Sequence, residues 1–344
     1  MAEIAHAAGQ VWPAFVLVSG LLLVGVVAEE DGLFAAAGAT LARLPGGARL
    51  LYLVALALVA TVTAILNLDT SVFFLTPVLL HLARARGIDE APFLYGAVFM
   101  SNAASLYLPG SNLTNLIVLH GEHVSGATFL ARMWAAALAA TVVTAALLAL
   151  LFHRELSRPA GPAAETAAAR FRVGAVAVAA SAVLVVVLRS PALPVLGVGI
   201  AAILLARAPR ARILAAIDLR VIPGLFVLAV LLGALGRWWH GPVSLLDSLD
   251  RWETAGVGAL AALVVNNLPA SVLLTPTSPV HGRALLLGLN LGPNLAVTGS
   301  LSAFLWLRVA RSLGAQPSAL RYTRLGIVLV PVSLAAALAA LHVL

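Results

Sequence analysis

Long apolar runs alternate along this chain with short polar breaks. Stretches at about 11–28, 93–120, 128–151, 173–189, 192–206, 221–238, 284–308 and 325–343 are apolar over lengths suited to a hydrocarbon core of roughly 30 Å, some only with tilt or an irregular middle. The pattern predicts an all-α polytopic membrane protein with about eight spans. Two further stretches, 50–86 and 254–280, hold a polar centre between apolar flanks. They predict re-entrant helical hairpins, because non-helical backbone at membrane depth survives only when it is buried in protein or lines a cavity.

The hairpin centres repeat one another. Asn67-Leu68-Asp69-Thr70-Ser71 runs on to Thr76-Pro77, and Asn267-Leu268-Pro269-Ala270-Ser271 runs on to Thr275-Pro276. Each is followed by a second interruption. In the first half it is Leu108-Pro109-Gly110-Ser111-Asn112-Leu113-Thr114-Asn115; in the second it is Asn290-Leu291-Gly292-Pro293-Asn294 through Thr298-Gly299-Ser300. Pro and Gly there break the helical hydrogen-bond ladder and free amides and carbonyls. Freed amides at half-helix N-termini suit anions or electronegative oxygen, and freed carbonyls suit cations or hydroxyls. Matched interruptions in two halves point to a transporter's binding site.

The repetition extends to Pro13–Leu22 and Pro223–Leu232. The predicted organisation is a first repeat over 11–151, a cytoplasmic linker over 152–172, two peripheral helices over 173–206 and a second repeat over 221–343. The linker carries Arg154, Arg158, Arg170 and Arg172, and Arg220 lies just before the second repeat. The peripheral pair has no counterpart before residue 11. Flanking charge sets direction. Arg43 and Arg49 precede the first hairpin and Arg84 and Arg86 follow it, which places both its ends in the cytoplasm. Two full spans joined by an external turn are the alternative. The second hairpin is preceded by Asp247, Asp250 and Glu253 with a lone Arg251, and is expected to come in from outside. Hairpins from opposite faces are what inverted repeats require. Counting spans from the linker places both termini outside.

Composition sharpens the class. The chain of 344 residues is 62% hydrophobic and 10% charged, with a mean hydropathy of +1.04, which excludes a soluble domain. The net charge of +7 is scattered over short loops, a cytoplasmic-loop bias rather than a nucleic-acid surface. With no Cys there is no disulfide, thiolate metal site or Cys nucleophile. The first apolar run lacks a basic leader and a cleavage signature, so it is expected to be a retained span. No Walker A motif, nucleophile elbow or zinc-ligand pattern is present. Neither an enzyme nor a cofactor is expected, and ATP hydrolysis would need a separate subunit.

Asp69 is the acidic residue predicted to lie deep in the membrane. Such a residue costs roughly 2.5–3.5 kcal/mol at a helix centre on insertion scales, which favours a functional role and makes it the candidate proton carrier. The second repeat has Pro269 at that place, so an ion role is asymmetric. A neutral, hydrogen-bonded structural Asp is the plainer alternative. Asn67, Thr70, Ser111, Asn112, Thr114, Asn267, Asn294 and Thr298 are expected to form a polar substrate shell between hairpin tips and helix breaks, since amides and hydroxyls both donate and accept. For any single Asn, helix capping is the plainer role. Glu29, Glu30 and Asp31 read as an interfacial cluster, His120, Glu122 and His123 as a solvated loop rather than a metal site, and Trp238 and Trp239 before His240 as interfacial anchors. His81, His281 and Arg283 read as solvated helix ends.

These motifs resemble the arsenical-pump (arsenite/antimonite) membrane permease family of the ion-transporter superfamily, which is related to divalent-anion:sodium symporters and citrate transporters. The most specific stretches are Asn67 to Pro77, Ser111 to Asn115, Asn266 to Pro269, and above all Leu291 to Trp306. The resemblance implies two inverted repeats around a midplane site in the inner (plasma) membrane. It implies extrusion of arsenite or antimonite in exchange for protons, in some cases with a soluble ATPase, and it admits a homodimer. Arsenous acid is a small, neutral, three-hydroxyl solute that Asn, Ser and Thr can bind without thiols. A sodium-coupled carboxylate or sulfate carrier and a sodium/proton antiporter are the alternatives on the same scaffold.

Overall fold

The computed structural model describes residues 2–119, 124–161, 172–188, 190–217, 221–239 and 241–341. Among them all regular structure is helical. His120, Glu122, His123, Arg170, Arg220 and His240 lie outside the described residues.

The same order of elements occurs twice. The first half holds α1 (Ala2–Glu30), α2 (Leu33–Arg43), a hairpin of α3 (Ala48–Ile65) and α4 (Leu68–Ala85), a broken helix of α5 (Glu90–Ala104) and α6 (Leu113–Val118), and α7 (Gly126–Leu151). Two short apolar helices follow, α8 (Val173–Val187) and α9 (Ala192–Ala206), then α10 (Arg210–Ile217). The second half holds α11 (Val221–Trp238), α12 (Gly241–Ser248), a hairpin of α13 (Arg251–Val265) and α14 (Asn267–Leu274), a broken helix of α15 (Gly282–Leu291) and α16 (Leu301–Ser312), and α17 (Ala319–Ala340).

Among the described residues, five helices have the length and hydropathy to cross a membrane alone: α1 from Ala7, α3, α4, α7 and α17. A sixth arises if α11 and α12, bent by 71° at Trp239, count as one. The broken helices approach that length only as pairs, as their Pro and Gly content requires. The two hairpins are unequal. Both arms of the first have 18 residues, about 27 Å at 1.5 Å per residue, whereas α14 has 8, about 12 Å. Length alone therefore allows the first hairpin to be two spans and denies that to the second. The short helices α2, α10 and α12 fall in stretches whose apolar runs are too brief to predict.

Packing repeats as the order does. The first hairpin lies on α5 through α3, as the second lies on α15 through α13; α5 lies on α7, as α15 lies on α17. Across the halves, α1 meets α11 and α7 meets α17, while α4 packs against α16 and α14 against α6. The second arm of each hairpin thus leans on the second piece of the other half's broken helix. The pair α8 and α9 covers α1.

An aromatic stack ties the halves together. Tyr95 and Phe99 of α5 meet Trp306 of α16 and Tyr322 of α17, with centroids 4.7–5.6 Å apart. The Trp306 indole donates to Leu94 O at 2.7 Å and the Tyr322 hydroxyl to Pro293 O at 3.1 Å, so each ring's polar end is satisfied. Arg321 lies over Tyr95 and Phe152 and pairs with Glu155 at 3.1 Å. The basic ends of the first hairpin gather on this same side: Arg49 donates to Ser157, Arg84 pairs with Glu90 and Arg158 with Asp89. Elsewhere Glu30 pairs with Arg212, and Asp31 accepts from the Gly174 amide.

Arg86 is 4% exposed and pairs with carbonyls alone among its described partners. Its guanidinium donates to Gly161 O at 2.8 Å, Ala42 O at 2.7 Å, and Leu44 O and Gly46 O at 3.3 Å. It fastens the base of the first hairpin to the α2–α3 turn and the linker. Arg86→Met, which keeps the stem and strands these carbonyls, is expected to destabilise the protein by about 3 kcal/mol. Thermal unfolding in detergent measures it, and an unchanged midpoint would remove Arg86 from this role.

Candidate functional site

Four helix N-termini converge on one cavity. Each begins with a residue type that favours capping, and each cap is made. Asn67 Oδ1 accepts from Thr70 N at 2.6 Å at the start of α4, and Asn112 Oδ1 from Thr114 N at 3.1 Å at the start of α6. Asn266 Oδ1 accepts from Leu268 N at 3.4 Å at the start of α14, and Ser300 Oγ from Ala303 N at 3.2 Å at the start of α16. Two of these ends are hairpin tips and two are helix breaks.

The cavity between them has a volume of about 300 Å³, at the small end of the usual range for small-molecule sites. Its polar wall is Asp69, Asn112, Asn266, Asn267, Thr298, Ser300 and Ser302; its apolar wall is Leu68, Leu113, Leu268, Val297, Leu301 and Phe304. It opens on the side where Thr298 and Phe304 are exposed. Among the described residues no Lys, Arg or His lines it, and Asp69 is the one ionisable group in the wall. Positive helix ends and neutral amides and hydroxyls surround that carboxyl.

Of the residues expected to bind solute, Asn112, Asn267 and Thr298 line the cavity beside Asp69. The other five lie behind its wall. Asn67 is 1% exposed; its oxygen caps α4, while its Nδ2 and the hydroxyl of the buried Thr70 have no partner among the described residues, and the Thr70 methyl lies close to where a Cβ on Gly25 would fall. Ser111 donates to Ala64 O at 2.9 Å, which ties the first break to the end of α3. Thr114 is buried in the first turn of α6. Asn294 accepts from Asn102 Nδ2 at 2.8 Å and donates to Phe99 O.

The repeated tip motif also carries an offset. By sequence Asn67 matches Asn267, but by role it matches Asn266, since these two are the caps. The first tip has two residues between its helices, Leu66 and Asn67; the second has Asn266 alone. One residue must then reverse the chain, and Asn266 does so at φ 77°, ψ 148°, a conformation L residues rarely hold and which costs about 1–3 kcal/mol. Its side chain also donates to Thr298 O at 3.1 Å, tying the second tip to the second break. Asn267, displaced by one, faces the cavity.

The sequence pattern does not pick out Ser300 and Ser302 as wall residues, nor the buried side chains around the two breaks, Asn102, Ser105, Asn115 and Asn290. A signal for some of them existed. Asn102 precedes the Asn112 cap by ten residues and Asn290 precedes the Ser300 cap by ten, a gapless register between the two breaks. No group of three His, Asp or Glu that could hold a metal ion occurs among the described residues.

The sequence profile of the CitMHS citrate transporter family matches residues 2–294. The chain belongs to that family. Within reach of this CitMHS chain is an arsenical pump membrane protein of Escherichia coli, 28% identical over 96% of this chain and 86% of its own length. A 46 kDa membrane protein of Mycobacterium leprae is 24% identical over the same shares. The crystal structure of the YdaH transporter of Alcanivorax borkumensis, described as having an unusual topology, superposes with a TM-score of 0.60 at 16% identity. It covers 99% of this chain and 86% of that one, a likeness of fold. The CitMHS protein is therefore a multi-pass membrane transporter of the secondary type and not an enzyme.

Proposed function

We propose that this transporter exports arsenite or antimonite from the cell in exchange for protons, by alternating access at the cavity between the hairpin tips and the helix breaks. The observation that carries the reading is the wall's chemistry: one carboxyl, Asp69, among neutral amides and hydroxyls, with no cationic side chain among the described residues. A neutral trihydroxy solute can bond to such a wall without charge compensation. A tricarboxylate would meet Asp69 with no Lys or Arg to offset it. In this reading Asn112, Asn266, Asn267, Thr298, Ser300 and Ser302 hold the solute, and Asp69 carries the proton. Asn67 and Ser111 fix backbone behind them, and Thr70, Thr114 and Asn294 are buried away from the cavity. The halves, 11–151 and 221–343, act as inverted repeats, with the first hairpin reaching in from the cytoplasm and the second from outside.

A sodium-coupled carboxylate or sulfate carrier is the second reading, favoured by the four helix N-termini and by the description of the family. A sodium/proton antiporter is the third. Expression in an arsenite-hypersensitive host is expected to restore growth on arsenite and lower cell arsenic. Everted vesicles are expected to take up arsenite on acidification of their lumen, without sodium and without competition from citrate or succinate. Correctly inserted protein that neither protects nor transports would sink the arsenite reading. Sodium-dependent citrate uptake would establish the second, and sodium/proton exchange without solute the third.

A further inference from the structure

The two helix breaks are bonded to each other by a directional set of buried amides. Asn290, in the last turn of α15, is 0% exposed and does not line the cavity. Its Nδ2 donates to Leu286 O at 2.8 Å and to Asn115 Oδ1 at 2.9 Å. A backbone carbonyl can only accept, so this bond fixes which way the amide faces. Asn290 Oδ1 is thereby turned to the first break, where it accepts from Asn112 Nδ2 at 2.7 Å and shares the Ser105 hydroxyl, 2.6 Å away, with Asn102 O at 2.7 Å from that hydroxyl. Asn115 is fixed by the same logic, since its Nδ2 donates to Ser105 O and Leu108 O. Asn112, which lines the cavity, is held from both ends: its nitrogen is given to Asn290 and its oxygen caps α6.

We infer that Asn290 is the positioning residue for Asn112: a side chain of the second half sets the orientation of a wall amide of the first half, and through it the affinity for solute. The inference rests on the cavity being the transport site. Asn102 provides the contrast. It is equally buried and also bonds across the halves, to Asn294, but neither residue of that pair lines the cavity.

The test is arsenite uptake kinetics in everted vesicles, with unfolding followed in detergent. Asn112→Ala is expected to raise KM by about tenfold, the equivalent of one good hydrogen bond. Asn290→Ala is expected to raise KM by a similar factor, and the double variant no further than the larger single effect, because the second change removes an orientation already lost. Asn102→Ala is expected to lower the unfolding midpoint as Asn290→Ala does while leaving KM near wild type. Asn290→Ser keeps a donor toward Leu286 O but gives up Asn112, so it is expected to raise KM as the alanine variant does, which keeps the test open should the alanine variant fail to fold. Multiplying effects in the double variant, or an equal KM rise in Asn102→Ala, would overturn the positioning role. An unchanged KM in Asn112→Ala would instead remove the cavity as the site, and this inference with it.

Discussion

Asp69→Asn is expected to abolish the response of arsenite uptake to a proton gradient while leaving exchange of labelled for unlabelled arsenite across the same vesicles. An amide of the same shape keeps the size and polarity of the wall but does not take up or release a proton at physiological pH. Asp69 is the one ionisable group lining the cavity among the described residues, and none of these neighbours can take over its role. Coupling between two ligands of one site is typically about 1–3 kcal/mol, roughly 5–150-fold in affinity, and all of it should disappear. Gradient-driven uptake that survives the change would place the coupling group elsewhere and leave Asp69 a structural carboxyl. Loss of gradient-driven uptake and exchange together would instead mean that Asp69 binds the solute itself.

The second large effect is steric. Gly326 of α17 packs against the second break so closely that a Cβ there would fall on the carbonyl oxygen of Asn294 and within 3.0 Å of Leu295 Cα. Both are backbone, and the aromatic stack beneath them holds Pro293 through the Tyr322 hydroxyl, so neither can give way easily. Gly326→Val is expected to cost about 3 kcal/mol or more, at the upper end for overpacking, and to displace Thr298 and Ser300 from the cavity. Gly224→Ala in α11, where nothing lies within 4 Å, is the matched control and is expected to be neutral or slightly stabilising. Equal unfolding midpoints for the two variants would show that α17 and the break are not in this contact.

Breaks and tips were legible in the chain because Pro, Gly and Asn mark the places where a helix cannot continue, as at Pro109-Gly110 and Gly292-Pro293. Which of the marked side chains reach the cavity was not legible. Asn67 and Asn267 stand in nearly the same local sequence, and only the loss of one turn residue before α14 sends one behind the wall and the other into it. That difference is a backbone angle at Asn266, which no residue pattern reports. The cross-bonds of Asn290 were hidden for another reason: they join positions 175–185 residues apart in the chain, so only tertiary packing creates them. Asp69 was legible because a lone acid in apolar sequence is costly wherever it ends up.

The unequal hairpins bear on how the protein is made. Each 18-residue arm of the first is long and apolar enough to enter a bilayer as soon as it leaves the ribosome. The eight residues of α14 are not, and that helix packs against α6, α11 and α13. By length, then, the α4 wall of the cavity can enter lipid by itself and the α14 wall cannot. A solute site there, as proposed, would be the product of docking rather than of insertion.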